Sequence, residues 1–157
     1  MYVKEKAGAG SGFRAQVFYH STTGNTKKVA IAIARAVGTE ARGIDRDEDV
    51  ISADLIFLGG AVYGSYDHDL HPDLKGFIAR LDPAKVGRVA LFKTGFETDA
   101  IPRMRRLLAS RGIEVVAESF ACKGRFFLFM LGHPDSADLG RAADFARALM
   151  AGAGGHA

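Results

Sequence analysis

The chain has few of the residues that build covalent or metal-bound frameworks. Its 157 residues include one cysteine, Cys122, no tryptophan and four prolines. A single cysteine excludes an internal disulfide, and no cysteine–histidine spacing suggests structural zinc, which suits a reducing compartment. No apolar run reaches the ~18 residues that a membrane span needs, and the first twelve residues have no apolar core of the signal-peptide type. We therefore expect a cytoplasmic protein without a membrane span.

A large excess of either charge is also missing. Lysine and arginine total 21 against 18 acidic residues, which gives a net charge of +3. The nearest approach to a basic cluster is Arg103, Arg105 and Arg106, so we expect no nucleic-acid partner. With 48% hydrophobic residues, the chain fits one compact domain. Glycine-rich ends predict a flexible leader at residues 1–13, a domain at 14–151 and a flexible tail at 152–157.

Strand-like apolar runs alternate with helical patterns through the body of the chain. We expect strands at residues 15–20, 40–44, 54–59, 89–92 and 113–122, and helices that begin near Lys27, at Pro72, at Pro102 and at Asp135 or Ser136. Strands joined by right-handed helical crossovers lie parallel. The pattern therefore predicts an α/β sandwich of three layers, with a five-stranded parallel sheet between helices. Ligands of such folds bind at the carboxyl ends of the strands.

The loop after the first predicted strand, Ser21–Thr26, carries four hydroxyl side chains around one glycine. It leads into a helix, whose free N–H groups and dipole attract anions. A Walker loop for a triphosphate has a different glycine spacing and a lysine that this loop lacks. The loop therefore suits a single phosphate, as in a mononucleotide. The alternative is a simple helix N-cap, because serine, threonine and asparagine are common capping residues.

The segment Tyr19–Thr26 resembles the phosphate-loop signature of flavodoxin-like FMN proteins, and the likeness extends over nearly all of residues 14–151. Segments 59–64 and 94–96 match the second and third flavin loops of that family loosely. The resemblance implies the sheet order 2-1-3-4-5, FMN as cofactor and a ribityl phosphate held by Ser21, Thr22, Thr23, Gly24, Asn25 and Thr26. It implies that the flavin ring is flanked by Ala61, Val62, Tyr63, Gly64, Ser65, Thr94, Gly95 and Phe96. Tyr63 is the residue expected to stack on the ring.

The same resemblance implies an electron-transfer protein in which the cofactor carries the chemistry and no catalytic side chain is needed. The electron acceptor is then a protein redox partner or a small molecule. Two features depart from typical flavodoxins: the chain is basic, and its third loop has Phe96 where short-chain carriers have a tyrosine. Two alternatives stay open. One is an FMN-dependent oxidoreductase of the NAD(P)H:quinone, flavin reductase or protoporphyrinogen oxidase type, and the other is a module that no longer binds flavin.

Histidines and aspartates between residues 67 and 73 offer a second set of polar groups. His68 and His71, together with Asp67, Asp69 and Asp73, have the chemistry of metal ligands. No second cluster in the sequence completes a site, so we expect solvated loop residues and no metal. Because the loop borders the expected flavin site, either histidine is also a candidate proton donor.

Six large apolar residues follow one another at Phe126–Leu131. The run is too short to span a bilayer, so its apolar side must meet the core, a second subunit or a bound ring. Core packing, a homodimer interface and a flavin cover are the three interpretations. Cys122, close before this run, is expected to be a small buried hydrophobic residue or a thiol with another role.

Overall fold

The computed structural model describes residues 12–44, 51–63, 69–95, 99–123 and 134–154. In these ranges the strands are β1 Ala15–Tyr19, β2 Ala41–Gly43, β3 Ala53–Gly60, β4 Val62–Tyr63, β5 Asp69–Leu70, β6 Val86–Thr94 and β7 Glu114–Cys122. The helices are α1 Asn25–Val37, α2 Pro72–Arg80, α3 Ala100–Ser110 and α4 Ser136–Gly154. Helices separate β1 from β2, β5 from β6 and β6 from β7, as the sequence pattern predicts, whereas the described residues contain no helix between β2 and β5.

Five of the strands form one parallel sheet in the order β2-β1-β3-β6-β7. Counted among themselves, these strands have the expected order 2-1-3-4-5, so the predicted fold class is confirmed. The order reverses between β1 and β3, which pair in register from Ala15 opposite Leu55 to Tyr19 opposite Gly59. This switch point opens a crevice at the carboxyl ends of the two strands, where doubly wound sheets bind their ligands.

Alternation along β3 divides the core between the two faces of the sheet. Ile56 and Leu58 belong to the apolar cluster that includes residues of α2 and α3. Leu55 and Phe57 belong to the cluster that includes residues of α1 and α4. Successive side chains of a strand point to opposite faces, and every one of these four is at most 1% exposed. The sheet is therefore covered on both sides, as its continuous apolar run predicts.

Two glycines end β3 where the chain approaches the site. A Cβ atom on Gly59 would lie 2.1 Å from the Phe92 ring, and one on Gly60 would lie 2.5 Å from Leu74. Cβ contacts under 3.0 Å are essentially never seen in proteins, so a larger residue at either position would displace the buried Phe92 ring or the buried Leu74 side chain. The core packs directly against the strand end, beneath the switch point.

A short antiparallel pair lies between the strand expected at residues 54–59 and the helix expected from Pro72, where the sequence indicates no strand. β4 pairs with β5 through Val62 opposite Leu70 and Tyr63 opposite Asp69. Strands of two residues contain too little alternation to be detected in a sequence. The pair holds the ends of the second expected flavin loop together.

Several other boundaries differ from the predicted ones. α3 begins at Ala100, two residues before Pro102, and α4 continues to Gly154, into the segment expected to be a tail. Two of the three residues in this extension are glycines, whose low helix propensity is the reason that the sequence indicated a tail. The apolar run 126–131 and the leader 1–11 lie outside the described residues. Within the described ranges, no helix combines the length and apolar character needed to cross a bilayer.

Candidate functional site

The hydroxyl-rich loop connects the carboxyl end of β1 to the first turn of α1. Gly24 is the N-cap residue, in a left-handed conformation with φ 89°, and no side-chain hydrogen bond caps the helix. The Ser21 hydroxyl oxygen instead accepts a hydrogen bond from the Gly24 N–H over 3.0 Å, within the loop itself. The N-cap residue of α1 is therefore a glycine without a side-chain cap, and not one of the hydroxyl residues that the alternative interpretation of the sequence expects there.

The loop divides into an exposed part and a buried part. Thr22 and Thr23 are exposed, whereas Asn25 and Thr26 are 5% and 2% exposed. The Thr26 hydroxyl lies 2.8 Å from the hydroxyl of Thr94, in a buried hydrogen bond that spans from α1 to the end of β6. A residue of the first expected loop and a residue of the third are thus in direct contact.

The start of α1 has the charge distribution of an anion-binding helix terminus. Its first turn contains no acidic residue, and Lys27 and Lys28 are exposed there. Cations at a helix N-terminus oppose the helix dipole, which carries roughly half a positive charge at that end. An anion bound at the terminus would compensate both the dipole and the two lysines.

The second and third expected flavin loops begin at the same edge of the sheet, after β3 and β6. Ala61 lies between β3 and β4, and β4 carries the predicted residues Val62 and Tyr63. Gly95 follows β6 with φ 102°, and its N–H donates to the Cys122 carbonyl over 3.0 Å. The Lys93 ammonium donates to the Gly95 carbonyl over 3.0 Å. These two bonds fix the start of the third loop, while Gly64, Ser65 and Phe96 lie outside the described residues.

An ion cluster that the sequence did not reveal holds the β4–β5 pair in place. Asp69 of β5 accepts a hydrogen bond from Lys75 of α2 over 2.9 Å, and Arg103 of α3 lies 3.5 Å from its other oxygen. The Lys75 hydrogen bond and the Leu70 backbone N–H hold the pKa of Asp69 below its usual value. The cluster therefore contributes stability at neutral pH that is lost as the pH falls through this lowered pKa.

Cys122 is half-buried at the end of β7, not fully buried as a small core residue would be. Burial, followed by the nearby Asp138 carboxylate, raises the pKa of its thiol to about 11. Cysteine reacts as the thiolate, so we expect the folded protein to react with a thiol-specific disulfide reagent at pH 8 on the order of 100-fold more slowly than a free thiol of pKa ~8.5.

The reaction of Cys122 is readily measured because the chain has one cysteine. Labelling is followed by absorbance in the folded protein and again in denaturant, which supplies the unhindered rate. A folded-state rate equal to the denatured one would contradict the raised pKa.

The structure also brings together residues that are far apart in the chain. His20 at the end of β1 lies against His71, with 4.2 Å between the ring centroids. Asp73 in the first turn of α2 lies 3.7 Å from His71 and 4.0 Å from His20. The histidine and aspartate group expected from the sequence includes His71 and Asp73 but not His20. The expectation that strand ends share one edge of the sheet could have suggested this third member.

A doubly wound parallel sheet of order 2-1-3-4-5, with the N-terminus of α1 at its switch point, has the architecture of flavodoxin-like α/β proteins. The family model of the flavodoxin domain matches residues 16–126, and the chain belongs to that family.

Solved structures with the same fold cover most of the chain. Oxidised flavodoxin 2 from Bacillus cereus is 24% identical, with a TM-score of 0.66, over 85% of this chain and 94% of that one. The two-electron reduced flavodoxin of Megasphaera elsdenii is 26% identical, with a TM-score of 0.59, over 82% and 97% of the two chains. An NADH:FMN oxidoreductase in its apo form is 21% identical, with a TM-score of 0.56, over 85% and 88%. Among curated proteins, none matches the sequence.

Proposed function

We propose that this protein binds FMN noncovalently and transfers electrons to a protein partner or a small acceptor. The start of α1, with Gly24 as its N-cap residue, is the observation that carries the proposal. It combines hydroxyl side chains, a helix dipole and an acid-free first turn with Lys27 and Lys28. These are donors and charges that suit a phosphate monoester. Membership of the flavodoxin family makes FMN the expected molecule to carry that phosphate. FMN, when bound, supplies one- and two-electron redox chemistry.

The residues proposed to hold FMN act by binding and orientation. Ser21–Thr26 would bind the phosphate through hydroxyl and backbone N–H donors. Ala61–Ser65 and Thr94–Phe96 would flank the ring, and the Thr26–Thr94 hydrogen bond would keep the phosphate end at a fixed distance from the third loop. The bonds that fix Gly95 would hold the backbone of that loop beside the ring. Such preorganisation lowers the ordering cost of binding.

The flavodoxin neighbours favour an electron carrier over a substrate-converting enzyme. The two flavodoxin neighbours are described as an oxidised form and a two-electron reduced form, so those proteins are known in different redox states. The fold likeness to an NADH:FMN oxidoreductase supports the second candidate, an FMN-dependent oxidoreductase.

Two experiments test this proposal. The purified protein is mixed with FMN, freed of unbound flavin by gel filtration and examined by visible absorbance. A flavin spectrum that stays with the protein supports the proposal, and a colourless protein contradicts it. The FMN-bound protein is then incubated with NADH or NADPH and a quinone. Catalytic consumption of the nicotinamide would favour the oxidoreductase over the carrier.

Tyr63 provides a prediction about the ring. An aromatic side chain stacked on the flavin quenches its fluorescence and contributes about 0.5–1.5 kcal/mol beyond area burial. We expect Tyr63→Ala to restore part of the flavin emission and to weaken FMN binding several-fold, whereas Tyr63→Phe should retain both properties. The measurement is a fluorescence titration of FMN with each protein. Equal quenching by the parent and Tyr63→Ala would assign the contact to another residue.

A further inference from the structure

Two imidazoles and one carboxylate meet beside the hydroxyl-rich loop, at the carboxyl end of β1. One ligand atom from each of His20, His71 and Asp73 can be chosen so that all three lie within 4.8 Å of one another. The residues come from the end of β1, the N-cap of α2 and its first turn. None of them belongs to the residues proposed to hold FMN.

The two separations from Asp73 to the histidines are somewhat longer than those between the ligands of a coordinated metal. Asp73 Oδ2 lies 3.7 Å from His71 Nδ1 and 4.0 Å from His20 Nε2. Four ligands at 2.0–2.1 Å around tetrahedral zinc lie about 3.3 Å from one another. The Asp73 carboxylate is 56% exposed, whereas the histidines are 11% and 15% exposed. Rotation of the exposed Asp73 carboxylate toward the two largely buried imidazoles would shorten both distances and close the site.

We propose that His20, His71 and Asp73 form a binding site for a divalent transition-metal ion of the zinc type. Two imidazole nitrogens and one carboxylate oxygen are the protein ligands of open zinc sites, which keep a fourth position for water. Nitrogen ligands select zinc and its neighbours over magnesium and calcium, which prefer oxygen. The proposal stands independently of FMN binding.

The hydrogen bond of His71 indicates the tautomer of its neutral ring. Nδ1 of His71 accepts from the Asp73 backbone N–H over 3.0 Å, so in the neutral ring this nitrogen carries the lone pair and Nε2 carries the proton. A metal bound at Nδ1 would replace this N-cap hydrogen bond with a coordination bond. The metal would then tie the N-terminus of α2 to the end of β1.

The test is a calorimetric titration of the full chain with Zn²⁺ alone. We expect the parent protein to bind one equivalent of Zn²⁺ tightly. His20→Asn, His71→Asn and Asp73→Asn should each weaken that equivalent by more than the roughly 10–100-fold that loss of an outer-shell partner costs. Asparagine at position 71 retains a good helix N-cap, and Asp73→Asn is isosteric and exposed, so neither change should prevent folding. Circular dichroism verifies this.

Matched controls are His133→Asn and His156→Asn, which remove histidines from elsewhere in the chain. Both should bind Zn²⁺ like the parent. The proposal is overturned if the parent binds no Zn²⁺, if the folded variants at positions 20, 71 and 73 retain parental affinity, or if a control loses the strong equivalent. FMN affinity is measured in parallel, so failure of the metal site and failure of the flavin site give separate results.

Discussion

Replacing Thr23 and Thr26 together by alanine should weaken FMN binding by roughly 3–6 kcal/mol, which is two to four orders of magnitude in Kd. Each hydroxyl is proposed to donate a charge-assisted hydrogen bond to the phosphate, and such a bond contributes roughly 1.5–3 kcal/mol. The measurement is calorimetric titration of the parent and the double variant with FMN. An unchanged Kd would place the phosphate elsewhere.

The matched control for this pair is Thr23→Ser with Thr26→Ser, which keeps both hydroxyl groups. It is needed because Thr26 also bonds to Thr94 in the folded protein, so its loss affects packing as well as binding. We expect the serine variant to bind FMN nearly as the parent does. The stability of both variants is followed by thermal unfolding, and riboflavin, which has no phosphate, should lose little affinity in either.

Gly59→Ala should lower the free energy of unfolding by about 1–3 kcal/mol or more, since overpacking a core usually costs this amount. The added Cβ would lie 2.1 Å from the Phe92 ring, which is itself fully buried. Because interiors are packed as densely as crystals, the ring has no vacant space to enter. Urea unfolding followed by circular dichroism measures the effect.

Gly140→Ala is the matched control for this substitution. Gly140 lies within α4, and a Cβ added there would have no atom within 4 Å. Alanine is a better helix former than glycine, so we expect Gly140→Ala to leave stability unchanged or raise it by roughly 0.5–1 kcal/mol. Equal destabilisation by both alanines would contradict the packing explanation, since only Gly59 faces a side chain.

The main elements could be predicted because their signals are local. The apolar run of β3 and the proline at the start of α2 specify a buried strand and a helix start without any tertiary contact. The hydroxyl-rich loop could be located for the same reason, because strand, loop and helix are continuous in the sequence. Its assignment to FMN depended on resemblance to a family, since hydroxyls and a helix start indicate a phosphate but not what carries it.

Features that depend on pairs distant in the chain could not be predicted. The Thr26–Thr94 hydrogen bond and the contact of His20 with His71 join residues from different strand ends. A polar side chain at a strand end can form hydrogen bonds in many different arrangements. Which groups come into contact depends on the exact positions of neighbouring strands and helices, which a sequence pattern does not specify. The β4–β5 pair escaped prediction because each strand has two residues, too few for a periodic pattern.

The most direct test of the central claim compares FMN with riboflavin on the unmodified protein. The two ligands share the flavin ring and differ in the phosphate that Ser21–Thr26 and the start of α1 are proposed to bind. Calorimetric titration at one pH and salt concentration gives both dissociation constants. The proposal predicts a lower dissociation constant for FMN than for riboflavin, because several charge-assisted hydrogen bonds to the phosphate each contribute roughly 1.5–3 kcal/mol. Equal affinity for FMN and riboflavin would contradict it.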